Sequence, residues 1–301
     1  MPSCEIHNTD CVTGLRERVE PGSIDLTVTS IPFGALFSYS GKTEDIGNSR
    51  DSTKFVDTMF GMHLRFFAEA LLQAQRPGTN ACIHIQQLVS YRIQHGYMGR
   101  RDFRGAVVDV MEAAGWEWRG EVAIPKNPQV IAQRQNLHSL MFVTGRRNAL
   151  DLAPAVNDYL MIFQRPGEAP PVRALQGDGN PDGWVTTEEW IRWASGVWDD
   201  VRETDVLEGW QDGREDGDEK HVCPLQLEVI RRPIKLYTRP GALVCDPFMG
   251  IGSTAHVAIE QHRNVVGFEL KESYHRQAVR HAQRALAGGG GADQLDMLEM
   301  A

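Results

Sequence analysis

One segment of this 301-residue chain constrains its fold more than any other, because it joins an apolar run to a glycine-containing loop and a helix start. It reads VCDPFMGIGST over residues 244–254, so a buried strand ends at Asp246 and the loop carries Gly250 and Gly252. Glycines let the backbone approach a ligand closely, and the N–H groups at the start of the following helix face that ligand. The segment therefore predicts a ligand-binding turn of the nucleotide type within an α/β sheet.

The following strand strengthens this interpretation. The loop has neither the lysine of a Walker phosphate loop nor the complete GxGxxG pattern. However, the next apolar run, residues 265–268, is followed by Glu269, which lies 23 positions after Asp246. An acidic residue at the end of the second strand of such a unit suits the ribose hydroxyls of a nucleoside ligand.

A second turn rich in helix-breaking and strand-breaking residues follows another buried strand, near the N-terminus. The strand is predicted over Ser23–Thr29. The turn consists of Ser30, Ile31, Pro32, Phe33 and Gly34. Because the carboxyl ends of strands line the ligand crevice of open α/β sheets, we expect both turns to face one cleft.

Strand and helix patterns alternate along most of the chain, which predicts a mainly parallel, doubly wound sheet. The amino-acid composition changes between residues 166 and 220, where acidic residues are frequent. Four of the seven tryptophans lie between positions 184 and 198. We interpret this stretch as an insertion. The predicted divisions are a first half over 1–165, an inserted module with an acidic loop over 166–220, a second half over 221–287 and a disordered tail over 288–301.

Charge is segregated along the chain, although the net charge is −9. Residues 199–219 hold ten acids and two arginines, so this one stretch accounts for most of the imbalance. Two other stretches, 92–104 and 126–147, are basic, and they predict a phosphate-binding face, although charge alone fits ordinary solvated loops equally well. The candidate phosphate contacts are Arg92, Arg100, Arg101, Arg104 and Arg134.

Composition excludes several other classes. No apolar run is long enough to predict a membrane span, and the N-terminus does not resemble a signal peptide. The five cysteines are scattered without a CxxC pair, which favours reduced thiols in a cytoplasm and argues against a zinc site. No His, Asp or Glu spacing predicts a metal.

At these two turns the chain resembles a known family, the amino-group DNA methyltransferases. DPFMGIGST resembles their S-adenosylmethionine-binding motif, and SIPF resembles their catalytic motif (D/N/S)PP(Y/F). The catalytic motif precedes the cofactor motif, as in the circularly permuted β class, and the segment 219–232 is similar to the helix before the cofactor motif in that class. TSIPFGALFSYSGKTEDIGN and ASGVWDDVRETDVL resemble a phage-type subgroup. The resemblance covers 1–165 and 219–285.

The resemblance implies a Rossmann-like fold, S-adenosyl-L-methionine as cofactor and double-stranded DNA as partner, with 166–220 as a target-recognition region. By the resemblance, Ser30 Oγ and the Ile31 carbonyl accept hydrogen bonds from the exocyclic amine of a flipped base, Phe33 stacks on that base, and Pro32 shapes the turn. The cofactor residues it implies are Asp246, Pro247, Phe248, Gly250, Gly252, Ser253, Thr254, Glu269, Asp10, Pro224 and Leu225.

The chain departs from the family at Ile31, which stands where the family has its first proline. A catalytically impaired, DNA-binding homologue is therefore one alternative, and a methyltransferase for RNA or a protein amide is another. The sequence leaves open whether the methylated atom is adenine N6 or cytosine N4. It also leaves open whether the protein forms a homodimer. The implied location is the cytoplasm of a bacterium or of a phage-infected cell.

Overall fold

Parallel strands dominate the sheet at the centre of this protein. The computed structural model describes residues 2–33, 59–90, 96–97, 99–134, 140–168, 185–209 and 224–288. The strands are β1 (Cys4–His7), β2 (Ile24–Ser30), β3 (Gln75–Gln86), β4 (Leu88–Ser90), β5 (Gly99–Arg101), β6 (Glu117–Ile124), β7 (Asp158–Gln164), β8 (Leu243–Asp246) and β9 (Asn264–Phe268). Among these residues, seven strands form the main sheet, and β4 pairs with β5 in a small separate ribbon.

Helices connect most of these strands. They are α1 (Cys11–Arg18), α2 (Met59–Ala74), α3 (Phe103–Ala113), α4 (Pro128–Arg134), α5 (Phe142–Arg147), α6 (Thr187–Trp193), α7 (Leu227–Tyr237), α8 (Ser253–Glu260) and α9 (Glu272–Leu286). A short 3₁₀ turn spans Ala149–Asp151. Several helix starts follow local capping chemistry. Asp10 and Asp102, for example, accept backbone N–H groups at the starts of α1 and α3.

The main sheet has the strand order β1-β9-β8-β2-β3-β7-β6. The four pairs from β1 to β3 are parallel, whereas β7 is antiparallel to both of its neighbours. Strand β6 therefore runs in the same direction as β3, and β7 is the one reversed strand of this sheet within the described residues. The mainly parallel α/β fold predicted from the sequence is confirmed.

Apolar side chains cover both faces of the sheet. On one face Phe67 of α2 and Phe103 of α3 pack with strand residues such as Phe163, and all three are fully buried. On the other face Ile234 of α7 and Val257 of α8 are fully buried in a second cluster. Burial of large apolar side chains on both faces stabilises the sheet. It also explains why the inner strands consist of nearly uninterrupted runs of apolar residues.

Part of the predicted insertion packs directly on the main sheet. Trp198 is buried in the same cluster as Val122 of β6, and its backbone N–H donates to the Ala123 carbonyl over 2.9 Å. Helix α6 begins with a capping box formed by Thr186 and Glu189. The acidic run 211–220 and most of the tail, 289–301, lie outside the described residues.

Candidate active site

The two turns identified in the sequence meet at one point of the sheet. Strands β2 and β8 are parallel neighbours, so the carboxyl end of β2 at Ser30 lies beside the carboxyl end of β8 at Asp246. The Thr29 hydroxyl donates a hydrogen bond of 2.6 Å to Asp246 Oδ1. From this pair of strands the connections run outward in opposite directions, which is the switch point where open α/β sheets bind ligands.

Asp246 is a buried carboxylate held by several donors. Besides Thr29, the backbone N–H of Phe248 donates to Asp246 Oδ1 over 3.0 Å, and the Thr254 hydroxyl is also bonded to this carboxylate. Burial raises the pKa of Asp246 above its ordinary value, and these hydrogen bonds counteract only part of that rise. A buried carboxylate of this kind favours a cationic ligand group, because a nearby positive charge restores the stability of its ionised form.

The backbone of the glycine loop lies close to the end of β8, where Asp246 is located. Gly250 and Gly252 have φ angles of 56° and 97°, in the left-handed region that favours glycine. A Cβ atom on Gly252 would lie 3.0 Å from the Cα atom of Ala278 on α9, so the loop and that helix are in close contact. Ser253 Oγ, in the first turn of α8, is buried and has no hydrogen-bond partner among the described residues.

Glu269 immediately follows β9, as the sequence predicts. Its Oε2 accepts the Gly250 N–H over 2.8 Å and its Oε1 accepts the Lys271 N–H over 2.8 Å. Two backbone donors therefore fix the carboxylate beside the glycine loop. A carboxylate beside the loop is a group that can accept hydrogen bonds from ligand hydroxyls.

The other candidate cofactor residues have structural partners of their own. Asp10 follows β1, and its Oδ1 caps α1 by accepting the Thr13 N–H over 2.9 Å. Leu225 packs against the apolar cluster that contains α7, and Pro224 directly precedes it. Both residues are partly exposed. Pro247 lies between Asp246 and Phe248, and the Phe248 ring packs at 5.1 Å from that of Phe67.

The catalytic-motif residues occupy the end of β2 and the turn after it. Ile31 is almost completely buried in the apolar cluster, whereas Pro32 and Phe33 are partly exposed. The ring of Phe33 lies 6.0 Å from the imidazole of His84. The core contacts of Ile31 give a physical reason for an aliphatic side chain at this position, since its shape fills space that a proline would leave less well packed.

Behind Ser30 lies a chain of buried polar residues to which the sequence assigned no function. Ser30 Oγ is 2.9 Å from His84 Nδ1, and His84 Nε2 is 3.0 Å from Asp158 Oδ2. Lys126 Nζ lies 2.7 Å from the same Asp158 oxygen. Gln86 donates to Asp158 Oδ1 over 2.8 Å. Lys126 was part of a predicted basic stretch, but its side chain is buried against this carboxylate.

The pKa of Asp158 reflects this network. Burial by itself raises the pKa, but the hydrogen bonds and positive charges supplied by His84 and Lys126 outweigh burial and hold it below the ordinary value. The only signal for His84 in the sequence is its place in an apolar strand. Its alignment with Ser30 follows from the parallel register of β2 and β3, which no local pattern encodes.

The candidate DNA-contacting arginines differ in their surroundings. Arg104 makes two hydrogen bonds to the Glu121 carboxylate, of 2.9 and 2.7 Å, and its guanidinium lies over the Trp118 ring. Its charge is therefore compensated within the protein. Arg100 and Arg101 lie on β5, where Arg100 Nη2 donates to the Pro154 carbonyl over 2.7 Å. Arg134 ends α4, and Arg92 lies outside the described residues.

Comparison with known proteins assigns the family. A family model described as DNA methylase matches residues 24–280, which include both turns and every strand of the main sheet except β1. The chain belongs to the DNA methylase family.

Curated relatives of this chain agree with that family assignment. The chain is 35% identical over 120 residues to the type II methyltransferase M.BglI of Bacillus subtilis, an alignment covering 39% of this chain and 28% of that protein. The alignments to six curated relatives span only 21% to 42% of those proteins' lengths.

Solved structures show the same fold. A Thermus thermophilus protein assigned as a DNA modification methylase, solved in complex with S-adenosyl-L-methionine, superimposes with a TM-score of 0.65 at 17% identity, covering 95% of this chain and 97% of that one. The PvuII DNA methyltransferase, which is cytosine-N4-specific, gives a TM-score of 0.63 at 16% identity, covering 96% and 94%.

Two kinds of feature are absent from the described residues. No helix there is both long and apolar enough to cross a membrane. No group of three or more His, Cys, Asp or Glu side chains in that part of the chain is placed to hold a metal ion.

Proposed function

We propose that this DNA methylase transfers a methyl group from S-adenosyl-L-methionine to the exocyclic amine of a base flipped out of double-stranded DNA. The hydrogen bond between Thr29 and Asp246 carries the proposal, because it fixes the catalytic-motif turn beside the glycine loop at the switch point of the sheet. Membership of the DNA methylase family supports the choice of DNA as substrate.

The residues around the glycine loop fit the cofactor. The buried Ser253 Oγ lacks a hydrogen-bond partner within the described structure, and the tight backbone at Gly252 leaves N–H groups at the start of α8 for a ligand. We assign the cationic methionine end to Asp246 and the ribose hydroxyls to Glu269. Asp10, Pro224 and Leu225 complete the proposed set. When bound, the cofactor supplies a methyl group made electrophilic by its sulfonium.

The chain's own residues orient the accepting amine. The lone pair of an exocyclic base amine is delocalised into the ring, so the amine is a weak nucleophile. Ser30 Oγ and the Ile31 carbonyl accept its two N–H groups, which favours a pyramidal nitrogen whose lone pair faces the methyl donor. Phe33 stacks on the flipped base. Positioning of this kind supplies much of the rate gain without a covalent intermediate.

The order of the two motifs along the chain supports assignment to a particular class of DNA methyltransferase. Ser30 precedes Asp246 by 216 positions, so the catalytic turn comes before the cofactor loop, as in the permuted β class. We place the target-recognition region in 166–220 and the amine on adenine N6 or cytosine N4. The names of type II relatives support a restriction-modification setting, hence the cytoplasm of a bacterium or a phage-infected cell.

A radiolabel-transfer assay tests the proposal. Purified protein and tritiated S-adenosyl-L-methionine are offered unmethylated duplex DNA, RNA and protein, and any labelled DNA is digested and analysed by nucleoside mass spectrometry. We expect label in N6-methyladenine or N4-methylcytosine. Label only in RNA or protein would overturn the choice of DNA. Cofactor binding without transfer to any substrate would identify an inactive homologue, and Ile31→Pro would then be tested for restored transfer.

A further inference from the structure

The buried residues behind Ser30 form a continuous hydrogen-bonded line across three strands of the sheet. Ser30 ends β2, His84 lies on β3, and Asp158 begins β7. The side chains of His84, Asp158 and Lys126 are each only 6% to 7% exposed. Buried polar groups are costly unless they are paired, so this line is held in a defined arrangement.

Asp158 sets the protonation pattern of its neighbours. An ionised carboxylate only accepts hydrogen bonds, and Asp158 has donors on both oxygens from Gln86, Lys126 and His84. The contact with His84 is therefore made by a protonated Nε2. In its neutral form His84 therefore carries its one proton on Nε2, and the charge of Lys126 balances that of Asp158.

The tautomer decides the direction of the next hydrogen bond. With its proton on Nε2, His84 has a lone pair on Nδ1, and the Ser30 hydroxyl donates to it over 2.9 Å. The lone pairs of Ser30 Oγ are then left for an external N–H group. The reverse tautomer would donate to Ser30 and turn the hydroxyl hydrogen outward, where it would oppose the hydrogens of an amine.

We propose that His84 is a positioning residue that orients Ser30 as an acceptor and takes up the proton released by the target amine, with Asp158 holding the required tautomer. This inference rests on the proposed function of Ser30. As the new N–C bond forms and the sulfur–methyl bond breaks, the amine nitrogen gives one proton to Ser30 Oγ. The Ser30 hydroxyl proton moves to His84 Nδ1, and the resulting imidazolium is stabilised by Asp158 until it releases the proton to solvent.

Nitrogen NMR of isotope-labelled histidine tests the tautomer without any turnover. The His84 resonances are assigned by comparing the wild-type protein with His84→Asn. We expect Nε2 to carry the proton and Nδ1 to carry none at neutral pH in the wild type. A proton on Nδ1 would overturn the proposal even in an active enzyme. An Nε2 proton in a protein that methylates nothing would count against the proposed function while still supporting the orientation of Ser30.

Single-turnover kinetics test the role in transfer. Asp158→Asn presents an amide that can donate to Nε2 and reverse the tautomer, so we expect the transfer rate to fall by about 100-fold, with little change in the dissociation constant of the cofactor. The matched control is Thr27→Val, which breaks the buried Thr27–Gln75 hydrogen bond on the same strand as Ser30. We expect this control to lower stability but to leave the transfer rate of the folded enzyme within about twofold.

The pH profile separates this role from a merely structural one. The ionisable groups that face the imidazole in the described structure are Asp158 of β7 and Lys126, which follows β6. In the wild type the transfer rate is expected to rise with pH over the range tested, because only a neutral imidazole can take up the released proton. In His84→Asn the amide oxygen can accept from Ser30 but takes up no proton, so the rate is expected to be low and independent of pH there. A wild-type rate or an unchanged profile in His84→Asn would overturn the proposal.

Discussion

Thr29 and Asp246 lie 217 positions apart in the sequence, yet the Thr29 hydroxyl and Asp246 Oδ1 are only 2.6 Å apart. This bond joins the ends of two adjacent parallel strands, each of which leads into a turn with its own chemistry. The proposed catalytic turn and the proposed cofactor loop therefore cannot move independently without breaking a buried hydrogen bond.

Cofactor affinity is expected to depend on pH through Asp246. Burial raises the pKa of this carboxyl, and a cationic ligand binds its ionised form, so affinity for S-adenosyl-L-methionine should fall as the pH drops through that raised pKa and level off above it. Asp246→Asn removes a charge-assisted contact and should raise the dissociation constant by about 10-fold or more at neutral pH, with a flatter pH profile. Isothermal titration calorimetry measures both effects.

Asp25→Asn is the matched control for Asp246. Asp25 also accepts a backbone N–H from β8, that of Leu243 over 2.8 Å, but at the opposite end of the same strand pair. We expect Asp25→Asn to change cofactor affinity by less than about twofold. Equal losses in the two variants would show that the sheet, rather than a cofactor contact at Asp246, was disturbed.

Phe33→Ala should impair methyl transfer far more than cofactor binding. The aromatic face is proposed to stack on the flipped base, an interaction typically worth about 1–3 kcal/mol per base, so the specificity constant for DNA should fall about 10-fold to 100-fold. Phe66→Ala, which truncates an exposed aromatic side chain on α2, is the control and should leave it unchanged. A parallel loss of cofactor affinity in Phe33→Ala would indicate misfolding of the turn instead.

Gly252→Ala should reduce both stability and cofactor binding. The φ angle of 97° is strained for alanine, and the new Cβ would lie 3.0 Å from backbone of Ala278. We expect a loss of about 1–3 kcal/mol in the free energy of unfolding, measured by urea denaturation. Gly241→Ala isolates the backbone strain, because Gly241 has a φ of 83° with nothing within 4 Å of the added Cβ. That variant should lose less stability and keep full cofactor affinity.

Substituting Arg100 and Arg101 together by alanine should weaken DNA binding and flatten its salt dependence. Each lost phosphate contact lowers the slope of log affinity against log salt by about 1. Arg104→Ala is the contrast, because the carboxylate of Glu121 already compensates the Arg104 charge, and we expect a smaller change in slope. Fluorescence anisotropy at several salt concentrations measures this. An unchanged slope in the double variant would place the DNA-binding face elsewhere.

Ile31→Ala should destabilise the protein more than it alters the chemistry. The side chain is 1% exposed within the main apolar cluster, and truncation of such a residue typically costs about 2–5 kcal/mol of unfolding free energy. Ile31→Val should cost about 0.5–1.5 kcal/mol and retain methyl transfer, because the backbone carbonyl is kept. The exposed Ile191→Ala is the control for a surface position. Loss of transfer in a fully folded Ile31→Val would assign the side chain a direct role.

Local patterns in the sequence were sufficient to predict where both turns lie and that the sheet is a mainly parallel α/β sheet. The strand that ends at Asp246 and the glycine loop after it are present where the pattern predicts them. Irregularities within a strand were not encoded locally. Strand β3 begins at Gln75, but its register with β2 shifts between Gln75 and Asn80, Gly78 has a φ of 76°, and its pairing with β7 begins only at Asn80.

The sequence by itself determined the α/β class and the positions of the two turns, because hydrophobic periodicity and backbone preferences act over a few residues. Only the tertiary structure decided that Thr29 meets Asp246 and that the line from Ser30 through His84 ends at Asp158 and Lys126. Those contacts depend on strand order and on the reversed direction of β7. Both are set by packing of the whole sheet, since side chains far apart in the chain become neighbours only when their strands pair in register.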